Sequence, residues 1–230
     1  MTRTIIIAEA GVNHNGRINL AKKLVDAAST AGADFIKFQA FKSKHLVTAS
    51  LDKANYQKKS GKLSESQFEM LKKLELSQDE LTELLVYCLK KKIGFMASAF
   101  DEESLRFMLN MDVEYLKVPS GEITNIPYLR IVGRTNKKVI LSTGMSKISE
   151  IQMAVKVLSK SGLAKKNLTI LHCNTDYPTD FSDVNLNAMK TLEAKFQTKV
   201  GYSDHTKGSH VAIAAVALGA SVIEKHITLN

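Results

Sequence analysis

The stretch Lys199–His226 reads KVGYSDHTKGSHVAIAAVALGASVIEKH and contains the unit that recurs along the whole chain. It begins with a short β-prone run, Lys199–Tyr202, and continues through apolar residues at helical spacing. It ends in a second β-prone run, Ser221–His226. A strand, a helix and a second strand in this order are typical of a parallel sheet, in which each helix crosses back over the sheet.

The same alternation can be followed from the beginning of the chain to its end. We predict strands at Thr4–Ala8, Asp34–Phe38, Gly94–Ser98, Glu114–Val118, Lys138–Leu141, Leu168–His172, Lys199–Tyr202 and Ser221–His226. Eight parallel strands with intervening helices favour a closed (β/α)8 TIM barrel, with a doubly wound open sheet as the alternative. All 230 residues fit one such domain. The chain stops soon after the eighth strand, so we expect the last barrel helix to be missing.

Composition weighs against nucleic acid as a partner. The net charge is +9, but lysine supplies 27 of the 32 basic residues and arginine only 5. Proteins that read bases rely on arginine, and the aromatic residues here do not interleave with the lysine clusters. A weak attraction for anionic substrates remains.

Cys88 and Cys173 lack CxxC spacing, and no secretory signal or membrane-spanning run is present. We therefore predict reduced thiols in a cytoplasmic protein that does not enter a membrane.

Two histidines lie at the carboxyl ends of the last two predicted strands. His205 lies in Gly201–Thr206, and His226 ends the run that begins at Val222. The carboxyl ends of barrel strands meet at one mouth, so the two imidazoles are expected to converge there. Neutral imidazoles brought together in this way predict a divalent-metal site.

Two lysines lie within strands of the predicted barrel and need a reason to be there, because an unpaired buried charge is costly. Lys37 and Lys117 belong to the second and fourth strands. They predict a phosphate-binding site together with the hydroxyls of Ser98, Ser120 and Ser203. One alternative is a set of structural ion pairs with Glu9, Glu122 or Glu224. A Schiff-base lysine is a third possibility.

Six motifs at the predicted strand ends carry a family resemblance. They are Glu9–Gly16, Lys37–Gln39, Val118–Glu122, Leu171–Pro178, Gly201–Thr206 and Ile223–His226. In this order, across the whole chain, they resemble the catalytic barrel of the sialic acid synthases, which include N-acetylneuraminate synthase and its legionaminate and pseudaminate relatives. The resemblance implies condensation of phosphoenolpyruvate with an N-acetylmannosamine-type aldehyde, with release of phosphate. N-acetylneuraminate is the product that we expect first.

The resemblance also implies roles for single residues. Glu9 and Glu122 match catalytic carboxylates, Glu9 for proton transfer or water positioning and Glu122 beside the sugar. His205 and His226 match the ligands of Mn²⁺ or Mg²⁺. Whether Asn174 or Thr175 reaches the ligand stays open. The implied substrate-binding residues are Lys37, Gln39, Ser98, Lys117, Ser120, Asn174, Thr175, Tyr177 and Ser203.

Several expectations concern parts of the family that this sequence does not contain. Relatives carry a C-terminal domain resembling antifreeze protein, and the full-length form is expected to be a homodimer.

The segment 43–63 has no strong period and predicts a lid or a dimer contact. Three alternatives stay open. One is a legionaminate or pseudaminate synthase that uses a 2,4-diacetamido-trideoxyhexose, and another is a related 3-deoxy-keto-acid synthase that uses a sugar phosphate. The third is a non-catalytic barrel that serves in polysaccharide assembly.

Overall fold

A closed parallel barrel forms the molecule. The computed structural model describes residues 3–48 and 66–229. Its strands pair in chain order, and the last strand pairs with the first. The strands are β1 (Ile5–Gly11), β2 (Phe35–Ala40), β3 (Gly94–Ala99), β4 (Tyr115–Val118), β5 (Lys138–Ser142), β6 (Leu168–Cys173), β7 (Lys199–Asp204) and β8 (Val222–His226). The predicted TIM barrel is confirmed, and closure excludes the open sheet.

Helices surround the barrel. They are α1 (Ile18–Thr30), α2 (Ser43–Leu46), α3 (Gln67–Leu74), α4 (Gln78–Lys90), α5 (Glu102–Asn110), α6 (Ile126–Arg134), α7 (Ile148–Lys160), α8 (Asn187–Phe196) and α9 (His210–Ala217). Capping boxes begin two of them, with Ser66 before α3 and Ser77 before α4. None of the helices in the described ranges is long and apolar enough to span a bilayer.

Side chains inside the barrel form two layers, which the period of the strands separates. The lower layer is apolar and consists of Ile7, Phe35, Met96, Ile140, Leu171 and Val222. Successive strand residues point to opposite faces, so the residue two positions further on returns to the interior. In each of these six strands the residue two positions after the apolar one carries a carboxylate, an ammonium group, a hydroxyl or a thiol. These residues are Glu9, Lys37, Ser98, Ser142, Cys173 and Glu224. The apolar layer therefore closes the barrel beneath a polar layer at its carboxyl end.

Strand ends differ from the prediction in one consistent way. The structure continues β1 from the predicted end at Ala8 to Gly11, and β7 from Tyr202 to Asp204. The prediction stopped these strands where polar residues began. Polar side chains extend them because, inside the barrel, they contact each other instead of water. Of the segment 43–63, the structure describes α2 and the residues to 48; the rest lies outside the described residues.

Candidate active site

Four charged side chains meet in the polar layer. Lys37 Nζ lies 2.8 Å from Glu9 Oε2 and 3.6 Å from Glu224 Oε1, while Lys117 Nζ lies 3.1 Å from the same Glu224 oxygen. All four are at least nine-tenths buried. Two ammonium and two carboxylate groups bring the formal charge of this tetrad close to zero. The ion pairs considered as an alternative therefore exist for Glu9 and Glu224.

The two carboxylates of the tetrad differ in acidity. Burial raises the pKa of Glu9 to about 7, although Lys37 opposes the shift. Burial also disfavours ionised Glu224, but Lys117 and Lys37 outweigh it and lower the pKa of Glu224 to about 2. Carboxylates whose pKa values are pushed apart are typical of acid–base sites. Glu9 can therefore exchange a proton near neutral pH, whereas Glu224 stays charged.

The pKa values of the two lysines are shifted in opposite directions. Burial lowers the pKa of Lys117, and the attraction of Glu224 does not fully offset it. For Lys37 the effect of burial is outweighed, since Glu224 and Glu9 together raise its pKa. Lys37 is thus the more firmly charged of the two.

Hydroxyl groups lie beside the tetrad and between it and the barrel mouth. Lys37 donates a hydrogen bond to Ser98 Oγ at 3.1 Å, and Ser203 Oγ donates one to Glu224 at 3.1 Å. Ser142 Oγ is buried without a hydrogen-bond partner in the described part of the chain. Ser120 lies nearer the mouth, where its Oγ accepts a hydrogen bond from the Gly144 N–H at 2.8 Å. Hydroxyls beside two ammonium groups make a suitable site for an oxyanion.

The two predicted metal ligands lie side by side at the mouth. Their ring centroids are 5.5 Å apart. His205 Nδ1 is 2.6 Å from the Asn174 carbonyl oxygen. That carbonyl can only accept, so Nδ1 carries the proton and Nε2, which lies 3.4 Å from Ser203 Oγ, keeps its lone pair. Burial lowers the pKa of His205, and burial with the nearby His205 lowers that of His226 to about 4. Both rings are therefore neutral at pH 7, as metal binding requires.

A cavity of about 340 Å³ opens above the histidines. The Tyr177 ring stacks on His205 at 4.2 Å between centroids and meets His226 edge-on at 5.7 Å. Asn13 also lines the cavity and donates from Nδ2 to the Ile227 carbonyl. The cavity lining consists of Asn13, Tyr177, Pro178, Asp204, His205, Thr206, Lys225 and His226.

Asn174 and Thr175 have different surroundings. Asn174 Nδ2 donates to the Asp183 carbonyl, while Asn174 Oδ1 is buried and has no hydrogen-bond partner within the described ranges. The Thr175 methyl group, in contrast, lies beside Gly144, 2.7 Å from where a Cβ would stand on that glycine. Asn174 thus has a buried oxygen without a partner in the described ranges, and which of the two residues reaches a ligand stays a prediction.

Gln39 and Glu122 lie outside the tetrad. Gln39 Nε2 lies 3.8 Å from the position that a Cβ on Gly11 would occupy, close to His226 and Glu9. Glu122 accepts a hydrogen bond from Asn125 at 2.7 Å and forms no ion pair with Lys37 or Lys117. Its partial burial raises its pKa. The structural ion pair considered for Glu122 is therefore wrong, and its catalytic role stays a prediction.

Two residues of the polar layer that carry a carboxylate or a hydroxyl were missing from the predicted site. Glu224 was considered only as a structural partner, yet it contacts both lysines and Ser203. Ser142 was overlooked, although it follows the inward Ile140 by two residues. Period-two alternation, applied to every strand, would have identified both.

The family model described as the NeuB family matches residues 24–230. The chain belongs to the NeuB family. This is the sialic acid synthase family expected from the motifs. Similar NeuB-family proteins include the N,N'-diacetyllegionaminic acid synthase of Campylobacter jejuni, 51% identical over 230 residues, which are 100% of this chain and 69% of that protein.

Other NeuB-family relatives agree in sequence and fold. An N,N'-diacetyllegionaminic acid synthase of Legionella pneumophila is 47% identical over 98% of this chain and 64% of its own length. The solved N-acetylneuraminic acid synthetase of Leptospira borgpetersenii, in complex with citrate, superposes with a TM-score of 0.87 at 37% identity, over 99% of this chain and 74% of that one. The chain thus spans about two thirds of the length of the two legionaminic acid synthases.

Proposed function

We propose that this barrel is the catalytic part of a synthase that condenses phosphoenolpyruvate with an acylated amino-sugar aldehyde. The product is a nonulosonic acid, and inorganic phosphate is released. The observation that carries the proposal is the convergence of Lys37, Lys117, Glu9 and the histidine pair at one barrel mouth. Membership of the NeuB family supports the same reaction class.

The lysines and hydroxyls would bind the anionic substrate. Phosphoenolpyruvate brings a phosphate and a carboxylate, and the tetrad supplies two ammonium groups at its centre. Bound oxyanions replace part of the pairing that Glu9 and Glu224 provide to the lysines. Ser98, Ser142 and Ser203 then donate hydrogen bonds to the same oxygens. The unsatisfied Ser142 hydroxyl supports this assignment.

Glu9 is the candidate for proton transfer. In the proposed reaction, C3 of the enol forms a bond to the aldehyde carbon and a water oxygen adds at C2. Glu9 accepts one proton of that water and passes it to the former aldehyde oxygen, which becomes a hydroxyl. The bond between C2 and the phosphate oxygen then breaks, as the new C2 hydroxyl gives its proton to the departing phosphate and becomes the keto oxygen. A carboxylate with a pKa of about 7 is suited to the task, because it is both a competent base and a competent acid at neutral pH.

The histidine pair fits a divalent cation, which we propose is Mn²⁺ or Mg²⁺. Both rings are neutral, and the hydrogen bond from Nδ1 to Asn174 leaves Nε2 of His205 as the ligand atom. No third His, Cys, Asp or Glu joins them in a metal-binding group among residues 3–48 and 66–229. An ion held by the two imidazoles would supply Lewis-acid polarisation of the acceptor aldehyde.

The acceptor that we propose is 2,4-diacetamido-2,4,6-trideoxymannose. Two N,N'-diacetyllegionaminic acid synthases are 51% and 47% identical to this chain, compared with 37% for the solved N-acetylneuraminic acid synthetase. N-acetylmannosamine, expected first from the motifs, is the second candidate. The homodimer and the cytoplasmic location stay predictions.

The test is an assay of phosphate release from phosphoenolpyruvate. It is carried out with the protein encoded by the full reading frame and with the 230-residue chain. Each acceptor is supplied separately, with Mn²⁺ or with EDTA. We expect Mn²⁺-dependent release with the diacetamido sugar, and loss of release in Lys117→Met. Lys138→Met is the matched control, since Lys138 forms an exposed pair with Glu114. No release with either acceptor would overturn the proposed reaction, and a preference for N-acetylmannosamine would overturn only the acceptor.

A further inference from the structure

Three residues beside the histidines form a polar brace between β7 and β8. Asp204 and Lys225 are neighbours in the strand register, and their side chains form an ion pair of 2.8 Å. Asp204 also accepts hydrogen bonds from the Thr206 N–H at 2.9 Å and the Thr206 hydroxyl at 2.7 Å. Lys225 donates a second hydrogen bond to the Thr206 carbonyl at 2.8 Å. We call Asp204, Thr206 and Lys225 the brace.

The brace encloses one predicted metal ligand and adjoins the other. His205 lies between Asp204 and Thr206, and His226 directly follows Lys225. The two Lys225 contacts therefore tie the residues around His205 to the strand that carries His226, and the Asp204–Thr206 hydrogen bonds hold those residues in one turn. Asp204 is 1% exposed, so its hydrogen bonds are shielded from water and hold a definite geometry.

The segment around His205 also has contacts that do not involve the brace. His205 Nδ1 bonds to the Asn174 carbonyl, and the Thr179 N–H donates to the His205 carbonyl at 2.9 Å. Loss of Lys225 therefore leaves the turn attached to the loop after β6. What relaxes is the distance from the His205 ring to the His226 ring.

We propose that the Asp204–Thr206–Lys225 brace is a positioning device that sets the spacing of the His205 and His226 imidazoles and thereby the affinity for a divalent cation. This inference rests on the proposed function, in which the two histidines bind that cation. Outer residues that orient metal ligands typically contribute about 10–100-fold to metal affinity.

Charge and positioning predict opposite results for Lys225→Met. The substitution removes a positive charge near the cation and leaves the Asp204 carboxylate without its ammonium partner, so charge alone predicts tighter cation binding. Loss of the brace predicts weaker binding, because the imidazoles no longer keep one separation. The sign of the change therefore separates the two effects.

The experiment is a titration of the full-length protein with Mn²⁺, followed by electron paramagnetic resonance of the free ion. We expect the Kd of Lys225→Met to rise about 10–100-fold. Lys225→Arg, which keeps two donors in reach, should restore most of the affinity. Lys207→Met is the matched control, because Lys207 is an exposed lysine next to Thr206 and lies outside the brace, and this variant should bind Mn²⁺ as the unsubstituted protein does. Circular dichroism confirms that each variant is folded.

The outcomes distinguish the inference from the function on which it rests. If folded Lys225→Met binds Mn²⁺ as tightly as the unsubstituted protein, or more tightly, the positioning role is overturned. If the unsubstituted protein binds no Mn²⁺, or if His205→Ala binds it unchanged, the metal site itself is wrong.

Discussion

Replacement of Glu224 by glutamine tests the central electrostatic claim about the polar layer. Glu224 is the carboxylate shared by Lys117, at 3.1 Å, and Lys37, at 3.6 Å. Glutamine keeps the shape and an acceptor oxygen for Ser203, but it removes the charge. The tetrad then contains two ammonium groups and one carboxylate, Glu9.

The expected loss of stability follows from burial. Removal of one partner from a buried ion pair costs about 3–5 kcal/mol. Glu224 contributes to the raised pKa of Glu9, so its loss lets Glu9 ionise more fully and offsets part of the cost. We therefore expect the lower end, about 3 kcal/mol, in the free energy of unfolding. For a domain of this size that corresponds to a decrease in Tm of about 6–12 °C.

The assay is urea and thermal unfolding at pH 7, with and without inorganic phosphate. Phosphate supplies negative charge to a tetrad that lacks it, so it should raise the Tm of Glu224→Gln more than that of the unsubstituted protein. Glu114→Gln is the matched control, because its pair with Lys138 spans 2.7 Å with both side chains about half exposed. We expect that control to lose less than about 1 kcal/mol.

Two results would refute the reasoning. If Glu224→Gln loses no more stability than Glu114→Gln, the tetrad does not depend on its shared carboxylate. If phosphate stabilises Glu224→Gln less than the unsubstituted protein, the two lysines do not form an anion site.

Three further predictions concern packing, a hydrogen bond and a thiol. Gly201→Ala should destabilise the fold by about 1–3 kcal/mol in urea unfolding, since its Cβ would lie 2.3 Å from the Val222 carbonyl oxygen in the β7–β8 ladder; an unchanged midpoint would contradict this. Tyr128→Phe should cost about 1–2 kcal/mol in the same assay, because it removes a buried hydrogen bond of 2.9 Å to the Ala99 carbonyl; a neutral effect would show that the bond is dispensable. Burial raises the pKa of Cys88 to about 12, so native protein at pH 8 should leave Cys88 unmodified by iodoacetamide, as read by peptide mass mapping, and urea should expose it.

Much of the fold followed from local pattern. Apolar runs that alternate with segments of helical spacing located the eight strands of the barrel. They could do so because a strand buried on both faces is a nearly continuous apolar run. The ends of β1 and β7 were placed too early, since polar residues usually mark a surface and here mark the barrel interior.

The site was recovered unevenly. Glu9, Lys37, Ser98, Lys117 and Ser203 do converge, as the common direction of parallel strands requires. The central role of Glu224 was not found, because its importance lies in two partners from distant strands. Glu122 was grouped with the lysines on its charge alone, whereas the turn after β4 pairs it with Asn125.

By itself the sequence determined the strand–helix order, the period that separates the apolar layer from the polar layer, and the motifs of the NeuB family. Only the tertiary structure decided which charges pair. Lys117 and Glu224 are 107 residues apart and meet because the barrel closes. It also decided the protonated nitrogen of His205, through a carbonyl 31 residues away. Local sequence specifies which face a side chain takes, whereas its partners depend on which strands and loops the closed barrel brings together.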